Sequence, residues 1–278
     1  MAEIIGVINT THVPAIAHAI VGKKNEDPYW KPFFDGFHFV HKWVEEKQPT
    51  TVVMFYNDHG LNFFLDKMPT FAIGCAPHYR PIDEGWGIDT FSDFEGNEAL
   101  SWHIANSLKA DEFDMVTCQE YDIDHSVTIP MELIWPGVKR PVKLVPIDIN
   151  TVLFPTPTAA RCLKLGRAAG KAIESFPGDE RILVIGTGGL SHQLEGLRAG
   201  FINKKYDLEF IENLPTNPEW AAQFSPNQIV EYAGTQGMEM INWVAARGTI
   251  AGDAKQVHMN YHIPISNTAS CVMVMEKA

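Results

Sequence analysis

Short apolar runs rich in β-branched residues alternate along the chain with longer stretches in which apolar residues recur at helical spacing. Runs such as Thr51–Tyr56 and Arg181–Ile185 predict buried strands. Stretches such as Asn97–Ala110 and Thr156–Phe176 predict helices packed on them. The alternation shows no low-complexity linker or internal repeat. We therefore expect a single α/β domain over residues 1–278, with a central mixed sheet covered by helices on both faces.

Three further predictions concern longer segments between these elements. The aromatic-rich stretch from Pro28 to Lys47 fits one amphipathic helix, and so does Asn227–Arg247, which carries Glu239. Residues 77–93 are rich in proline, glycine and aspartate. They predict a long irregular loop of the kind that often serves a function.

A histidine follows several of the predicted strands. Thr51–Tyr56 is followed directly by Asn57-Asp58-His59. The first strand leads in the same way to His12, and the strand before the glycine run leads to His192. Ligands of open α/β sheets bind beyond the carboxyl ends of the strands. We therefore expect His12, His59 and His192 to converge on one site.

Composition limits the partners that such a site serves. The chain has 22 Lys and Arg against 34 Asp and Glu, a net charge of −12 that argues against nucleic acid or an anionic membrane surface. No apolar run reaches the roughly 18 residues of a spanning helix. The first residues lack the basic leader that would predict export. The 4 cysteines lack C-x-x-C spacing, which favours buried thiols in a reducing cytoplasm over disulfides or a zinc cluster.

Imidazoles that meet at the end of a sheet indicate a metal site. Two histidines and one carboxylate suit non-haem Fe(II), because they leave coordination positions open. Zinc accepts the same ligands, and sequence spacing does not separate the two metals. Gly186–His192 has Ser191 where a dinucleotide fingerprint needs glycine, and it lacks the Lys-Ser/Thr pair of a P-loop, so we reject a nucleotide site there. Its glycines serve either a tight turn or a close approach of backbone to a ligand.

Eight patches in a fixed order carry a family resemblance that covers nearly the whole chain. They are Thr11–Ala15, Tyr56–His59, Thr70–Gly74, Asp83–Gly87, Asp122–His125, Gly186–Leu194, Arg198–Lys204 and Ser266–Ala269. Together they resemble the class III extradiol ring-cleavage dioxygenases, in particular catalytic β subunits of the protocatechuate 4,5-dioxygenase type. The specificity lies in the combination, because each patch alone is weak.

The resemblance implies the metal and its ligands. His12 and His59 would hold Fe(II) together with the carboxylate of Glu239. Only the resemblance identifies Glu239 as a ligand. The residues around it in the sequence predict a solvent-exposed position on an amphipathic helix. His192 would be the catalytic acid/base, and His125 a second catalytic histidine.

The resemblance also implies a reaction. Ser266 and Asn267 match the turn that binds the substrate carboxylate. The substrate would be protocatechuate or a closely related carboxylated catechol, which O2 would cleave at the 4,5 bond to a ring-opened semialdehyde. Cleavage of protocatechuate at the 2,3 bond, or of gallate, stays open within the family. Outside it, a metal-free binding protein and a zinc hydrolase remain alternatives on the same scaffold.

The family's 4,5-cleaving enzymes pair the catalytic chain with a small helical α subunit. The resemblance therefore implies either such a partner or self-association that closes the site. A cytoplasmic location would suit a ferrous ion, because a reducing compartment protects it from oxidation.

Overall fold

The computed structural model describes residues 1–85, 93–137, 141–265 and 267–278. Its strands are β1 (Glu3–Thr10), β2 (Thr51–Tyr56), β3 (Phe71–Gly74), β4 (His78–Pro81), β5 (Phe94–Glu95), β6 (Val116–Cys118), β7 (Asp122–Ile123), β8 (Lys143–Ile149), β9 (Arg181–Thr187), β10 (Ala254–Ile265) and β11 (Thr268–Lys277). Its α-helices are α1 (Pro14–Val21), α2 (Lys31–Asp35), α3 (Phe37–Lys47), α4 (Glu98–Ala110), α5 (His125–Ile134), α6 (Ala159–Ser175), α7 (Lys204–Asn213), α8 (Pro218–Ala222), α9 (Pro226–Ala233) and α10 (Met240–Gly248). Short 3-10 helices cover Lys24–Glu26, Gly196–Arg198 and Gln236–Glu239.

The main sheet is mixed, with strand order β10-β11-β1-β9-β2-β8-β3-β6. The central strands β1, β9, β2 and β8 run parallel to one another. The hairpin β10–β11 joins β1 antiparallel, and β3 joins β8 antiparallel. Because the register sets Thr10 beside Thr187, the carboxyl ends of β1 and β9 lie level at one edge of the sheet. A smaller sheet has the order β5-β4-β7.

Alternate residues of β2 belong to two hydrophobic cores, one on each face of the main sheet. Val53 and Phe55 pack in a core with residues of α4, α6 and α10. Met54 and Tyr56 pack in a second core with residues of α1, α3 and α5. Successive side chains of a strand point to opposite faces, so a strand buried throughout must be covered twice. The prediction of a mixed sheet with helices on both faces is confirmed.

The two long helices predicted from amphipathic spacing are wrong as single elements. Residues 28–47 contain α2 and α3, which meet at Gly36, where an added Cβ would lie 2.7 Å from Asn260 Cγ. Residues 227–247 are broken at Gly234, which has a positive φ of 89°. Apolar positions recur on both sides of each break, so periodicity alone does not show it. As a result Glu239 stands at the N-terminal end of α10 and is not a mid-helix residue.

Two other segments differ from the sequence predictions. The segment 77–93 is not wholly irregular, because His78–Pro81 forms β4 with alternating exposed and buried residues; residues 86–92 of that segment lie outside the described ranges. The apolar, proline-containing stretch after Asp124, for which no element is predicted, forms α5. All of its residues are buried, so it lacks the polar face that makes a helix visible in sequence.

Over the described ranges, no helix combines the length and apolar character needed to cross a bilayer. The cysteines are free, and Cys75, Cys162 and Cys271 are buried. Buried thiols of this kind pack as small apolar side chains.

Candidate active site

Three strand-end histidines surround one carboxylate. The Nε2 atoms of His12 and His59 lie 3.5 Å and 3.6 Å from Oε1 of Glu239. The Nε2 atom of His192 lies 3.8 Å from the other oxygen, Oε2. His125 adds a fourth imidazole, whose ring centroid is 4.1 Å from that of His59. The structure thus brings together five of the seven residues that the sequence singles out.

The turn that carries His59 is shaped by the preceding aspartate. The Asp58 carboxylate accepts hydrogen bonds from the backbone N–H groups of residues 60–63, at 2.9–3.2 Å. Gly60 adopts a positive φ of 81°, which a residue with a side chain rarely does. The strand therefore ends in a fixed turn, and the His59 side chain is presented at the edge of the sheet.

Asp124 orients the His59 ring. Its Oδ2 accepts hydrogen bonds from the His59 backbone N–H at 3.0 Å and from Nδ1 at 2.8 Å. With the proton on Nδ1, the lone pair of the neutral ring is on Nε2, the nitrogen nearest Glu239. Asn57 Nδ2 lies 3.3 Å from that nitrogen, so the side-chain amide can donate a hydrogen bond to the lone pair on Nε2. Burial alone would raise the pKa of Asp124, but the His59 imidazole holds that pKa well below its usual range, so the group is a carboxylate.

The His12 side chain is more deeply buried than that of His59. Its Nδ1 is 3.1 Å from the Thr187 hydroxyl at the end of β9, and the residue is 2% exposed. Its Nε2 is a buried polar atom without a hydrogen-bond partner among the described residues. Burial lowers the pKa of His12, although Glu239 opposes the shift, so the imidazole is neutral and able to ligate a metal.

The glycine run supports Glu239 from the opposite side. The backbone N–H of Gly189 donates a hydrogen bond of 2.7 Å to Glu239 Oε2. Gly188 has a φ of 141°, and an added Cβ there would lie 2.5 Å from Glu239 Cβ. Burial alone would raise the pKa of Glu239, but the surrounding histidines hold it well below its usual range. These glycines therefore serve a close approach of backbone to a charged side chain.

His192 and His125 are each oriented through Nδ1. The Nδ1 of His192 is 3.0 Å from the Leu190 carbonyl oxygen, which only accepts, so the proton is on Nδ1. Glu84 binds His125 twice: Oε1 accepts from its backbone N–H at 2.8 Å, and Oε2 lies 2.9 Å from Nδ1.

The donors around Glu239 fit a bound metal ion. Two ligands that are each about 2.0–2.2 Å from a shared metal lie about 2.8–3.8 Å apart at bond angles of 90–120°. The distances from Glu239 Oε1 to the two Nε2 atoms meet this requirement. His125 is a further candidate, because ring nitrogens of His12, His59 and His125 lie within 4.8 Å of one another. We favour Glu239 as the third ligand because its charge offsets part of the charge of a divalent ion, which three neutral imidazoles do not.

A cavity of about 400 Å³ opens beside these residues. One wall is formed by the histidines and Glu239, and the remainder mixes carboxylate, hydroxyl, amide and apolar groups. The residues of that remainder are Val13, Pro14, Glu84, Thr151, Val152, Leu194, Thr235, Gln236 and Thr268. Its volume suits a ligand with one aromatic ring.

The predicted carboxylate-binding turn is only partly described. Ser266 lies outside the described residues. Asn267 occupies the turn between β10 and β11 with a positive φ of 63°. The next residue, Thr268, lines the cavity and pairs with His192 in a β-bridge.

Two residues near the metal-ligand candidates are not found from sequence patterns. Asp124 and Glu84 each hold a histidine, from segments far apart in the chain. The only sequence signal is their position inside two of the matching patches, Asp122–His125 and Asp83–Gly87. Acidic side chains that accept from the Nδ1–H of a metal-ligating histidine are typical of metal sites.

Comparison with known proteins identifies a family that the chain matches. Residues 6–272 match the family described as the catalytic LigB subunit of aromatic ring-opening dioxygenase. A gallate dioxygenase from Pseudomonas putida is 36% identical over 195 residues, which are 70% of this chain and 57% of that enzyme. The chain thus spans little more than half the length of that relative.

Two further proteins resemble the chain over most of its length. A 2,3-dihydroxyphenylpropionate/2,3-dihydroxicinnamic acid 1,2-dioxygenase from Photorhabdus laumondii is 26% identical, with 93% of this chain and 92% of that enzyme covered. The crystal structure of an uncharacterized protein from Escherichia coli K12 shares the fold, with a TM-score of 0.57 at 13% identity over 99% of this chain and 100% of the other. The resemblance seen in sequence is confirmed for the family. The narrower resemblance to protocatechuate 4,5-dioxygenase is not confirmed, because these relatives are named for gallate and dihydroxyphenylpropionate.

Proposed function

The chain belongs to the family of catalytic LigB subunits of aromatic ring-opening dioxygenases, and from that premise we propose that it is an Fe(II)-dependent extradiol dioxygenase acting on a carboxylated catechol. Residues 1–278 would form its single catalytic domain. The observation that carries the proposal is the position of Glu239 Oε1, which lies 3.5 Å and 3.6 Å from the Nε2 atoms of two buried or half-buried histidines.

In this proposal His12, His59 and Glu239 hold the metal. Each has a neighbour that positions it: Thr187 lies beside Nδ1 of His12, Asp124 accepts from Nδ1 of His59 and so leaves Nε2 toward Glu239, and the Gly189 N–H donates to Glu239. A ferrous ion held there would supply Lewis acidity toward catechol hydroxyls and redox chemistry with O2. Two imidazoles and one carboxylate form the facial set that leaves positions open for both reactants.

His192 is proposed as the acid/base. Because Nδ1 donates to the Leu190 carbonyl, Nε2 carries the lone pair and lies on the Glu239 side of the ring. In that position Nε2 can accept a proton from a catechol hydroxyl and later return it. The residue is only 3% exposed and lines the cavity, so its ring is accessible mainly from the substrate side.

The substrate class follows from the cavity and the relatives. The names of both dioxygenases above denote aromatic compounds that carry neighbouring hydroxyls and a carboxyl group. Among the described residues that line the cavity there is no lysine or arginine. A substrate carboxylate would therefore be met by neutral donors such as Thr235, Gln236 and the turn at Asn267. Protocatechuate with 4,5-cleavage is the leading candidate, and gallate is supported by the P. putida relative.

The test is turnover by the purified chain. After anaerobic loading with Fe(II), protocatechuate, gallate and 2,3-dihydroxyphenylpropionate are each mixed with O2, and the products are identified by NMR. We expect a ring-opened product from at least one of them, and activity without a second protein would remove the need for a separate α subunit. An iron-loaded, folded chain that opens none of these rings would overturn the proposal. His192→Gln should keep its iron and lose turnover by about 10²–10⁴-fold.

A further inference from the structure

Glu84 and His125 form a partly buried carboxylate–imidazole pair at the wall of the cavity. The Glu84 and His125 side chains are 12% and 6% exposed. Both Glu84 oxygens are used, one by the His125 backbone N–H at 2.8 Å and the other by Nδ1 at 2.9 Å. Both residues line the cavity beside the candidate metal ligands.

We infer that Glu84 is a positioning residue that fixes the His125 tautomer for the ring-opening reaction. The inference rests on the proposed function. A carboxylate only accepts hydrogen bonds, so Nδ1 must carry the proton that it donates to Glu84. The lone pair of the neutral ring is then on Nε2, and His125 presents an acceptor to a substrate hydroxyl.

A parallel pair on the adjacent residue shows why the two histidines have different tasks. Asp124 holds Nδ1 of His59, and Glu84 holds Nδ1 of His125, while the two rings lie 4.1 Å apart with a tilt of 30°. His59 Nε2 approaches Glu239 at 3.6 Å. His125 borders the same cavity from the N-terminal end of α5. With Glu239 as the third metal ligand, the Asp124 pair acts on metal binding, and the Glu84 pair acts on a histidine that borders the cavity.

Replacement of Glu84 by glutamine separates these effects. An amide has one acceptor oxygen, and the His125 backbone N–H must keep it because a backbone N–H cannot reverse its polarity. The amide NH2 then faces Nδ1, so the ring must move its proton to Nε2 and lose its acceptor toward the cavity. Glu84→Asp keeps two acceptor oxygens and should retain the original tautomer.

The tautomer can be measured without metal or turnover. In protein carrying ¹⁵N-labelled histidine, the ring nitrogen shifts at mildly alkaline pH report which nitrogen bears the proton, and His125→Gln assigns the signals. We expect Nδ1–H in the wild type and in Glu84→Asp, and Nε2–H in Glu84→Gln. A wild-type His125 with its proton on Nε2 would overturn the inference.

Turnover completes the test. With Fe(II) bound, kcat/KM of Glu84→Gln should fall about 10–100-fold at unchanged iron stoichiometry. Glu95→Gln, which alters an exposed acid paired with Lys143, is the matched control and should turn over as the wild type does. A Glu84→Gln variant that turns over at the wild-type rate would refute the inference and leave the proposed function intact. A wild type that opens no catechol ring would refute the proposed function, while the tautomer measurement still judges the pair.

Discussion

Replacing Asp124 by asparagine tests how the site prepares His59 for a metal. The carboxylate accepts from four donors: the backbone N–H and Nδ1 of His59, and the backbone N–H and hydroxyl of Ser126. Asparagine keeps one acceptor oxygen, so one of the two backbone N–H groups must face an NH2 group. A buried donor left unsatisfied costs about 1–3 kcal/mol.

The same change reaches the metal through the ring of His59. If the NH2 group faces His59, Nδ1 becomes the acceptor and the proton moves to Nε2, where it blocks ligation. Loss of such an orienting partner typically weakens metal binding about 10–100-fold, which is about 1.4–2.7 kcal/mol. We expect Asp124→Asn to bind Fe(II) more weakly by that factor.

The assay is an anaerobic Fe(II) titration of folded protein against a competing chelator, accompanied by urea unfolding. Asp122→Asn is the matched control. Asp122 lies two residues away and pairs with the exposed Arg80 guanidinium, so its loss should cost at most about 1 kcal/mol and leave iron affinity unchanged. A folded Asp124→Asn variant with iron affinity within twofold of the wild type would refute the reasoning.

Two further substitutions test the glycine run and Asp207 of α7. Gly188→Ala places a Cβ 2.5 Å from Glu239 Cβ at a φ of 141°, so it should destabilise the fold by about 1–3 kcal/mol and weaken Fe(II) binding; iron affinity and urea midpoint equal to wild type would contradict this. Burial raises the pKa of Asp207 to about 6, against hydrogen bonds from Ser191 and Tyr261 that favour the carboxylate. Between about pH 4 and pH 6 the folded chain keeps a proton that the unfolded chain releases, so the free energy of unfolding should fall by up to about 3 kcal/mol as pH rises through that window. Asp207→Asn should remove that part of the fall in urea titrations at several pH values, and an unchanged pH slope would contradict it.

The fold was largely predictable because its strands are short, apolar and β-branched. Strand ends also indicated where chemistry would lie, since the sharp turns after β1, β2 and β9 are all at one edge of the sheet. The predicted continuous helix over residues 227–247 concealed the environment of Glu239. Gly234 breaks that helix and turns the carboxylate inward, where it is 5% exposed.

The partners of the histidines could not be predicted from local pattern. Asp124 is 65 residues from His59, and Glu84 is 41 residues from His125. Sequence spacing carries no signal for such pairs, because they form only when the sheet aligns its loops. The α5 helix that carries His125 was missed for a related reason, since a helix buried on every side has no periodicity to detect.

The central claim is that His12, His59 and Glu239 together hold the catalytic metal. Its most direct test is anomalous diffraction at the iron absorption edge from crystals loaded anaerobically with Fe(II). We predict one peak within about 2.0–2.2 Å of Nε2 of His12, Nε2 of His59 and an oxygen of Glu239. A peak bound by His125 in place of Glu239, or located away from these residues, would contradict the claim.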